Sequence, residues 1–257
     1  IINLYYHIEH DELFAVKSQM HEVKKLIERE ISNYRKISHP LICKYHGILQ
    51  EKNGISIVVE YIDGHSLSEI NQLELTEKDK ISIIIEILHA VKYLHDNDFI
   101  YRDLKPDNII LDRNKYIVLI DFDRMIELGE TSANTREERN TSEDRTLDWN
   151  KNFAHPSLGD AKYTPWQECD IYSIGQMIYF IFTGKIPSHE LEHDLAGQYP
   201  EMHSIYMKCI SDSKQNPERI TTSKIIEFIN NQNQIKEYFR ISGNNYTIDL
   251  ECYFHLL

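Results

Sequence analysis

Tyr101-Arg102-Asp103-Leu104-Lys105-Pro106-Asp107-Asn108 sets a carboxylate, an ammonium and an amide within six residues, from Asp103 to Asn108. Upstream, Ile81, Ile84, Ile85, Leu88, Val91 and Leu94 recur at helical spacing and predict one apolar stripe of a long helix. Downstream, residues 109–111 and 116–120 read as two short strands joined by Asp112-Arg113-Asn114-Lys115. The second strand runs into Asp121-Phe122-Asp123. Asp103 is placed to accept a hydroxyl proton, and Lys105 to neutralise a transferring phosphoryl group. Asn108 and Asp121 supply hard oxygen donors, the kind Mg²⁺ takes alongside phosphate oxygens.

Further upstream, residues 4–8 and 13–17 are β-type runs around the polar turn Glu9-His10-Asp11-Glu12, and Ala15-Val16-Lys17 puts a cation on the second. Val23, Leu26, Ile27, Ile31, Tyr34 and Ile37 predict an amphipathic helix that must end before Pro40. It carries Glu30, a partner for Lys17. Residues 43–49 and 55–61 read as strands joined across Asn53-Gly54, a pair that tolerates left-handed backbone. Strand, strand, helix, strand, strand therefore fills the first 60 or so residues, and helices follow Gly64. Ser66-x-x-Glu69 and Thr76-x-x-Asp79 read as helix N-termini. A buried helix is expected over 170–183, with Gly184 closing it and Pro187 beyond. Others are expected at 201–211 and 222–230. The polar, aperiodic run 123–149 reads as a long functional loop.

Lys and Arg number 28 against 41 Asp and Glu, a net charge of −13. That balance argues against a nucleic-acid binder, which would carry a basic face. The most apolar stretch, 174–184, is interrupted by Gln176 and Thr183 and falls short of the roughly 20 residues a membrane span needs. Residues 1–10 show no basic region before an apolar block, so no signal peptide is expected. Cys43, Cys169, Cys209 and Cys252 have no CxxC spacing and read as free thiols of a cytoplasmic chain. His7-x-x-His10 and Glu190-x-x-His193 have no further ligands nearby and read as solvated surface.

The order of these pieces resembles the eukaryotic protein kinase domain of the serine/threonine type, over about residues 4–229. Tyr101 to Asn108 carries the resemblance most specifically. Ala15-Val16-Lys17, Glu30 followed by His39-Pro40, Val58-Val59-Glu60-Tyr61, Asp121-Phe122 and Asp170-Ile171-Tyr172-Ser173-Ile174-Gly175 occur in the family's order. Taken singly, a strand lysine or a helix glutamate is a surface charge; the set in its order is what counts. The resemblance implies a two-lobed α+β fold: a small antiparallel-sheet lobe with one helix over residues 1–62, and a larger, mainly helical lobe over 63–231. The activation segment would lie at about 121–157 and an extension at 232–257.

By the same resemblance, ATP and Mg²⁺ are the cofactors and a protein is the substrate. Lys17 would hold the α- and β-phosphates and pair with Glu30. Asp121 and Asn108 would hold Mg²⁺, and Asp103 would orient and deprotonate the substrate hydroxyl. Lys105 marks Ser/Thr specificity. Val59 would stand beside the adenine, the backbone of Glu60 and Ile62 would bond its edge, and Ala15 and Ile110 would enclose it. Asp170 would brace the catalytic loop. Arg102 would receive a phosphate from the activation segment, with Thr141, Ser142 and Thr146 as candidate acceptors. Arg219, in Asn216-Pro217-Glu218-Arg219, matches the family's late structural arginine.

Four positions depart from the family pattern. No Gly-rich phosphate loop precedes residue 4, so the chain is expected to start inside the small lobe, short of its first strand. Asp123 stands where the family has glycine. His155-Pro156-Ser157 replaces Ala-Pro-Glu, removing the expected partner of Arg219. Tyr101 replaces a commoner histidine. The missing loop, Asp123 and Ser157 favour a scaffold that binds nucleotide without turnover. The intact Lys17, Glu30, Asp103, Lys105, Asn108 and Asp121 favour an enzyme. A kinase of small molecules is the third possibility, disfavoured by Arg102 and the long loop.

Overall fold

A computed structural model describes residues 2–7, 11–18, 24–51, 54–130, 152–159, 166–188, 192–211 and 221–231. Asn53, Thr141, Ser142, Thr146, residues 216–219 and the extension 232–257 lie outside these, as do His10, Glu190 and Cys252.

The expected opening order is present. Strands β1 (Ile2–His7), β2 (Glu12–Ser18), β3 (Tyr45–Glu51) and β4 (Gly54–Glu60) form one antiparallel sheet in the order β1-β2-β4-β3, with helix α1 (Lys24–Tyr34) inserted after β2. Ala15 pairs with Leu4 on one side and Val59 on the other, and Lys17 pairs with Ile2 and Ile57. Directly opposed residues share a face of the sheet, so Lys17, Ala15, Ile2, Leu4 and Val59 line a single surface.

Helix α2 (Glu77–Asp96) begins on the expected capping box: Asp79 N–H donates to the Thr76 hydroxyl at 3.2 Å, and Thr76 N–H donates to the Asp79 carboxylate at 2.8 Å. Such a cap contributes about 1 kcal/mol. Ser66 is a helix N-cap, as expected, though of a 3₁₀ helix. It accepts from Ser68 N–H and opens a 3₁₀ turn, Leu67–Gln72, while Glu69 turns back to His65. The hydroxyl satisfies a nearer donor, so no four-residue box closes.

Two short pairings extend beyond the sequence reading, and the strand pair expected at 109–111 and 116–120 is present. Strand β5 (Gly64–Ser66) joins β7 (Ile109–Asp112) and β8 (Ile117–Leu119). Strand β6 (Phe99–Ile100) pairs with β9 (Ile126–Glu127), so the run expected as loop from 123 contains a strand. Two-residue strands carry too little periodicity to be seen in sequence. Gly64 must be glycine, because a Cβ there would lie 2.0 Å from the Leu111 carbonyl oxygen.

Helix α3 (Glu168–Thr183) starts a little before 170 and ends on Gly184 in the left-handed region, φ 67°. Helices α4 (Glu192–Gln198), α5 (Pro200–Ile210) and α6 (Thr222–Asn231) complete the described chain. The core joins α2 and α3 to α5 and α6, and continues through Leu41, Ile42 and Ile57 to the sheet and α1. Cys43, Cys169 and Cys209 are buried free thiols. Among the described residues no helix is long and apolar enough to cross a membrane.

Candidate active site

The loop from Tyr101 to Asn108 is fixed from below by one buried carboxylate. Asp170, in the first turn of α3, accepts the Arg102 N–H at 2.7 Å and the Tyr101 N–H at 2.9 Å, and meets His95 Nε2 of α2 at 2.8 Å. This hold keeps Arg102 in the left-handed region, φ 69°, a conformation that costs a non-glycine residue about 1–2 kcal/mol. The bracing expected of Asp170 is thus seen as three short contacts. His95, one helix away in sequence, gave no signal on its own.

Within the loop, Asp103 is nearly buried. Its Oδ2 accepts from Asn108 Nδ2 at 2.8 Å and from Lys105 Nζ at 3.0 Å. Asn108 Nδ2 also donates to the Asp103 carbonyl at 2.9 Å. The amide nitrogen is committed to Asp103, so the amide oxygen is what Asn108 has for a cation. Arg124 Nη1 lies 3.7 Å from Asp103 Oδ1, a contact the sequence reading did not foresee.

A second cluster sits where the sheet meets this loop. Lys17 Nζ bonds Glu30 Oε1 and Asp121 Oδ1, both at 2.9 Å. Glu30 is fully buried, and its Oε2 has no hydrogen-bond partner among the described residues. Burial works against the Lys17 ammonium, but Asp121 and Glu30 outweigh it and hold its pKa above the lysine range. Burial pushes Glu30 up to about 7, with Lys17 pulling the other way. Burial also raises Asp121, yet Lys17 prevails and holds that carboxyl below its ordinary value. At Asp123 burial and the neighbouring Asp121 both act upward.

Asp121 is itself left-handed, φ 64°. Two tyrosines hold the peptides beside it. Tyr101 Oη donates to the Ile120 carbonyl at 2.5 Å, and the Asp121 N–H donates to the Tyr34 hydroxyl. The rings of Tyr45, Tyr34, Phe122 and Tyr101 stand in a column with successive centroids 5.8, 5.1 and 5.3 Å apart. Asn33 Nδ2 donates to the Phe122 and Met125 carbonyls at 2.7 and 3.0 Å. Arg29 reaches Glu130, and Lys36 reaches Glu127. None of these was read from sequence, although Asn33 and Tyr34 follow Glu30 by three and four residues and so share its helix face.

The structure unites Lys17, Glu30 and Asp121 in one cluster, and Asp103, Lys105 and Asn108 in the other. Ala15 stands opposite Val59 on the adjacent strand, in register with Leu4, and Ile2 shares that surface without having been singled out. The Glu60 N–H is taken by the Lys44 carbonyl at 2.9 Å, and the Glu60 carbonyl meets Cys43 Sγ at 4.0 Å. The Glu60 side chain turns away to the Lys44 N–H. Ile110 pairs with Val118 and Ser66 on β7, half-buried. Ile62 is half-buried just after β4. Arg102 is buried.

The donor set fits Mg²⁺. Asp121 supplies a carboxylate and Asn108 an amide oxygen, and among the described residues no three His, Cys, Asp or Glu side chains form a cage of their own. Mg²⁺ commonly takes one or two carboxylates together with phosphate oxygens and water.

A family profile described as protein kinase domain matches residues 2–248 of the chain. The serine/threonine-protein kinase polo of Drosophila melanogaster is 31% identical over 188 residues, covering 70% of this chain and 31% of that protein. A protein of Acanthamoeba polyphaga mimivirus, whose name also reads serine/threonine-protein kinase, is 29% identical over 231 residues, 80% of this chain and 79% of its own length. The SNF1-like protein kinase ssp2 of Schizosaccharomyces pombe is 29% identical over 172 residues, 66% of this chain and 28% of that protein. The chain thus spans under a third of polo and of ssp2, but most of the mimivirus protein.

Proposed function

The chain belongs to the protein kinase domain family, and from that premise we propose that it transfers the γ-phosphoryl group of ATP to Ser or Thr hydroxyls of protein substrates, with Mg²⁺. The observation that carries this reading is Lys17, bonded at 2.9 Å to both Glu30 and Asp121, residues far apart in sequence. A lone lysine would be solvated; one held between two carboxylates beneath a sheet is positioned for phosphate. In the same reading residues 1–62 are the nucleotide-facing lobe, 63–231 the helical lobe, and 232–257 an extension.

When bound, Mg²⁺ neutralises phosphate charge, and Asp121 and Asn108 would hold it. Lys17 exchanges its bond to Asp121 for phosphate oxygens and keeps Glu30. Asp103 has Oδ2 fixed by Asn108 and Lys105, which turns Oδ1 to the substrate hydroxyl. Oδ1 takes the hydroxyl proton, the hydroxyl oxygen bonds the γ-phosphorus, the bond to the β-phosphate oxygen breaks, and ADP leaves. Lys105 sets off charge on the phosphoryl group in transit. Ala15, Val59, the Glu60 carbonyl, Ile62 and Ile110 frame the adenine.

Asp103→Asn keeps the shape of the loop and removes the base. We expect transfer to a generic Ser/Thr peptide to fall about 10²–10⁴-fold, the range for loss of a general base, with the Tm shift on adding Mg²⁺ and ATP retained. Lys17→Met should also abolish transfer, through lost phosphate positioning. If both variants label the peptide as wild type does, these roles are wrong. If no Tm shift occurs with Mg²⁺ and ATP in the wild type, nucleotide use itself is wrong.

A further inference from the structure

Asp123, which departs from the family pattern described above, is followed in the chain by the cation Arg124. Asp123 adds a carboxylate where that pattern has glycine, two residues after Asp121. An extra negative charge at a site for a polyanion opposes binding unless a cation meets it. Lys17 is already held by Glu30 and Asp121, and Lys105 by Asp103. Arg124 is the next residue along the chain, largely buried, with Nη1 3.7 Å from Asp103 Oδ1.

The geometry at Asp103 gives that contact a purpose. Oδ2 carries two hydrogen bonds, from Asn108 and Lys105. Oδ1 is the oxygen left to receive the substrate proton. Arg124 faces this same oxygen beyond hydrogen-bond length, so it attracts the carboxylate edge without occupying the lone pair the proton needs. Arg124 also follows Asp123 directly in the chain, so its positive charge stands one residue from the added carboxylate.

We propose that Arg124 is a positioning residue for phosphoryl transfer, its guanidinium fixing the Oδ1 edge of Asp103 and offsetting the added carboxylate of Asp123. This rests on the reading of Asp103 as base. Asp123 and Arg124 then form one unit: Asp123 is accommodated because Arg124 follows it.

The test is a cycle of Arg124→Ala, Asp123→Gly and the double variant, with Arg124→Lys as the conservative control, each followed by kcat, by KM for ATP with Mg²⁺, and by ATP affinity from titration calorimetry. Arg124→Ala should lower kcat about tenfold or more and weaken ATP affinity by a similar factor. The double variant should restore affinity to within about threefold of wild type while kcat stays low, because the charge on residue 123 is gone but Asp103 is still unheld. Arg124→Lys, which keeps the charge, should retain affinity and recover part of kcat. A merely structural arginine would lower both quantities in the double variant as in the single one, and that result overturns the proposal. So does Arg124→Ala within twofold of wild type in both. Asp103→Asn, run alongside, separates the layers: activity lost there but untouched in Arg124→Ala condemns only the arginine, whereas activity retained in Asp103→Asn condemns the base assignment beneath it.

Discussion

Of the eight residues from Tyr101 to Asn108, six are buried, whereas all six residues of β1 are exposed. Both regions face the same site. The loop hangs from Asp170, whose carboxylate meets two backbone N–H groups and His95 inside the helical part. The strand has one hydrogen-bonded neighbour, β2, and among the described residues is the edge of its sheet. In the proposed reading, proton removal is then held by a buried, braced loop, and the nucleotide-facing surface by a strand that can open locally. This division suits a reaction in which the base must stay put while a large polyanion enters and leaves.

The most direct way to break the comparison is to remove its anchor. Asp170→Ala strands two buried N–H donors and His95, so we expect a loss of about 3–5 kcal/mol, read by thermal or chemical unfolding. A loss under about 1 kcal/mol would mean that the loop is not held from below.

A pH series sharpens it. Glu86 of α2 is buried, accepting from Ile117 N–H at 2.9 Å and from the Ser82 hydroxyl at 3.1 Å, and burial pushes its pKa up to about 7. A carboxyl whose folded pKa lies above its unfolded value binds its proton more tightly in the folded state. Stability from this group is present below the unfolded value, near 4.5, and falls as pH rises towards 7. The difference is about 3 kcal/mol between acid and neutral pH. Glu30 carries a similar shift, so the measurement is the difference between wild type and Glu86→Gln across pH 5–8. Parallel curves would refute the assignment.

Asn33 ties α1 to the segment after β8 through the Phe122 and Met125 carbonyls. Asn33→Ala should cost about 2 kcal/mol and loosen α1 from residues 122–125, seen as faster amide exchange in α1 with α3 unchanged. Equal exchange in both would show that the two regions do not part here. The smallest effect belongs to the strand itself: Leu4 is 56% exposed, and Leu4→Ser should change stability by about 0.5 kcal/mol or less. A cost near that of Asp170→Ala would erase the contrast.

What sequence could and could not show follows the range of the interactions. The box at Thr76 and Asp79, the stop at Gly184 and the β1–β4 order rest on neighbours a few residues apart, and each was legible. The set Lys17, Glu30, Asp103, Asn108 and Asp121 was legible through its order, although no single member declared itself. Arg124 was not, because its partner Asp103 lies on another loop and nothing in the intervening chain marks the pairing. Asn33 bonds carbonyls, which have no sequence signature. The β6–β9 pair was missed since two residues cannot display a period. Ser66 was legible as an N-cap, but not the 3₁₀ turn it opens, because which donor its hydroxyl meets, here the Ser68 N–H, is settled only in the fold.

The column of Tyr45, Tyr34, Phe122 and Tyr101 has an optical consequence. Its rings come from four separate segments: β3, α1, the turn after β8 and the catalytic loop. A tyrosine locked in an asymmetric environment gives a circular-dichroism band in the near ultraviolet, and a freely rotating one gives almost none. Three of the four rings are tyrosines, so when the two sides of the site are joined they add to that band beside the rest of the chain's 16 Tyr and 2 Trp, while the far-ultraviolet signal measures only whether the helices exist. The protein thus carries, in its own absorption, a gauge of whether its parts are assembled for work.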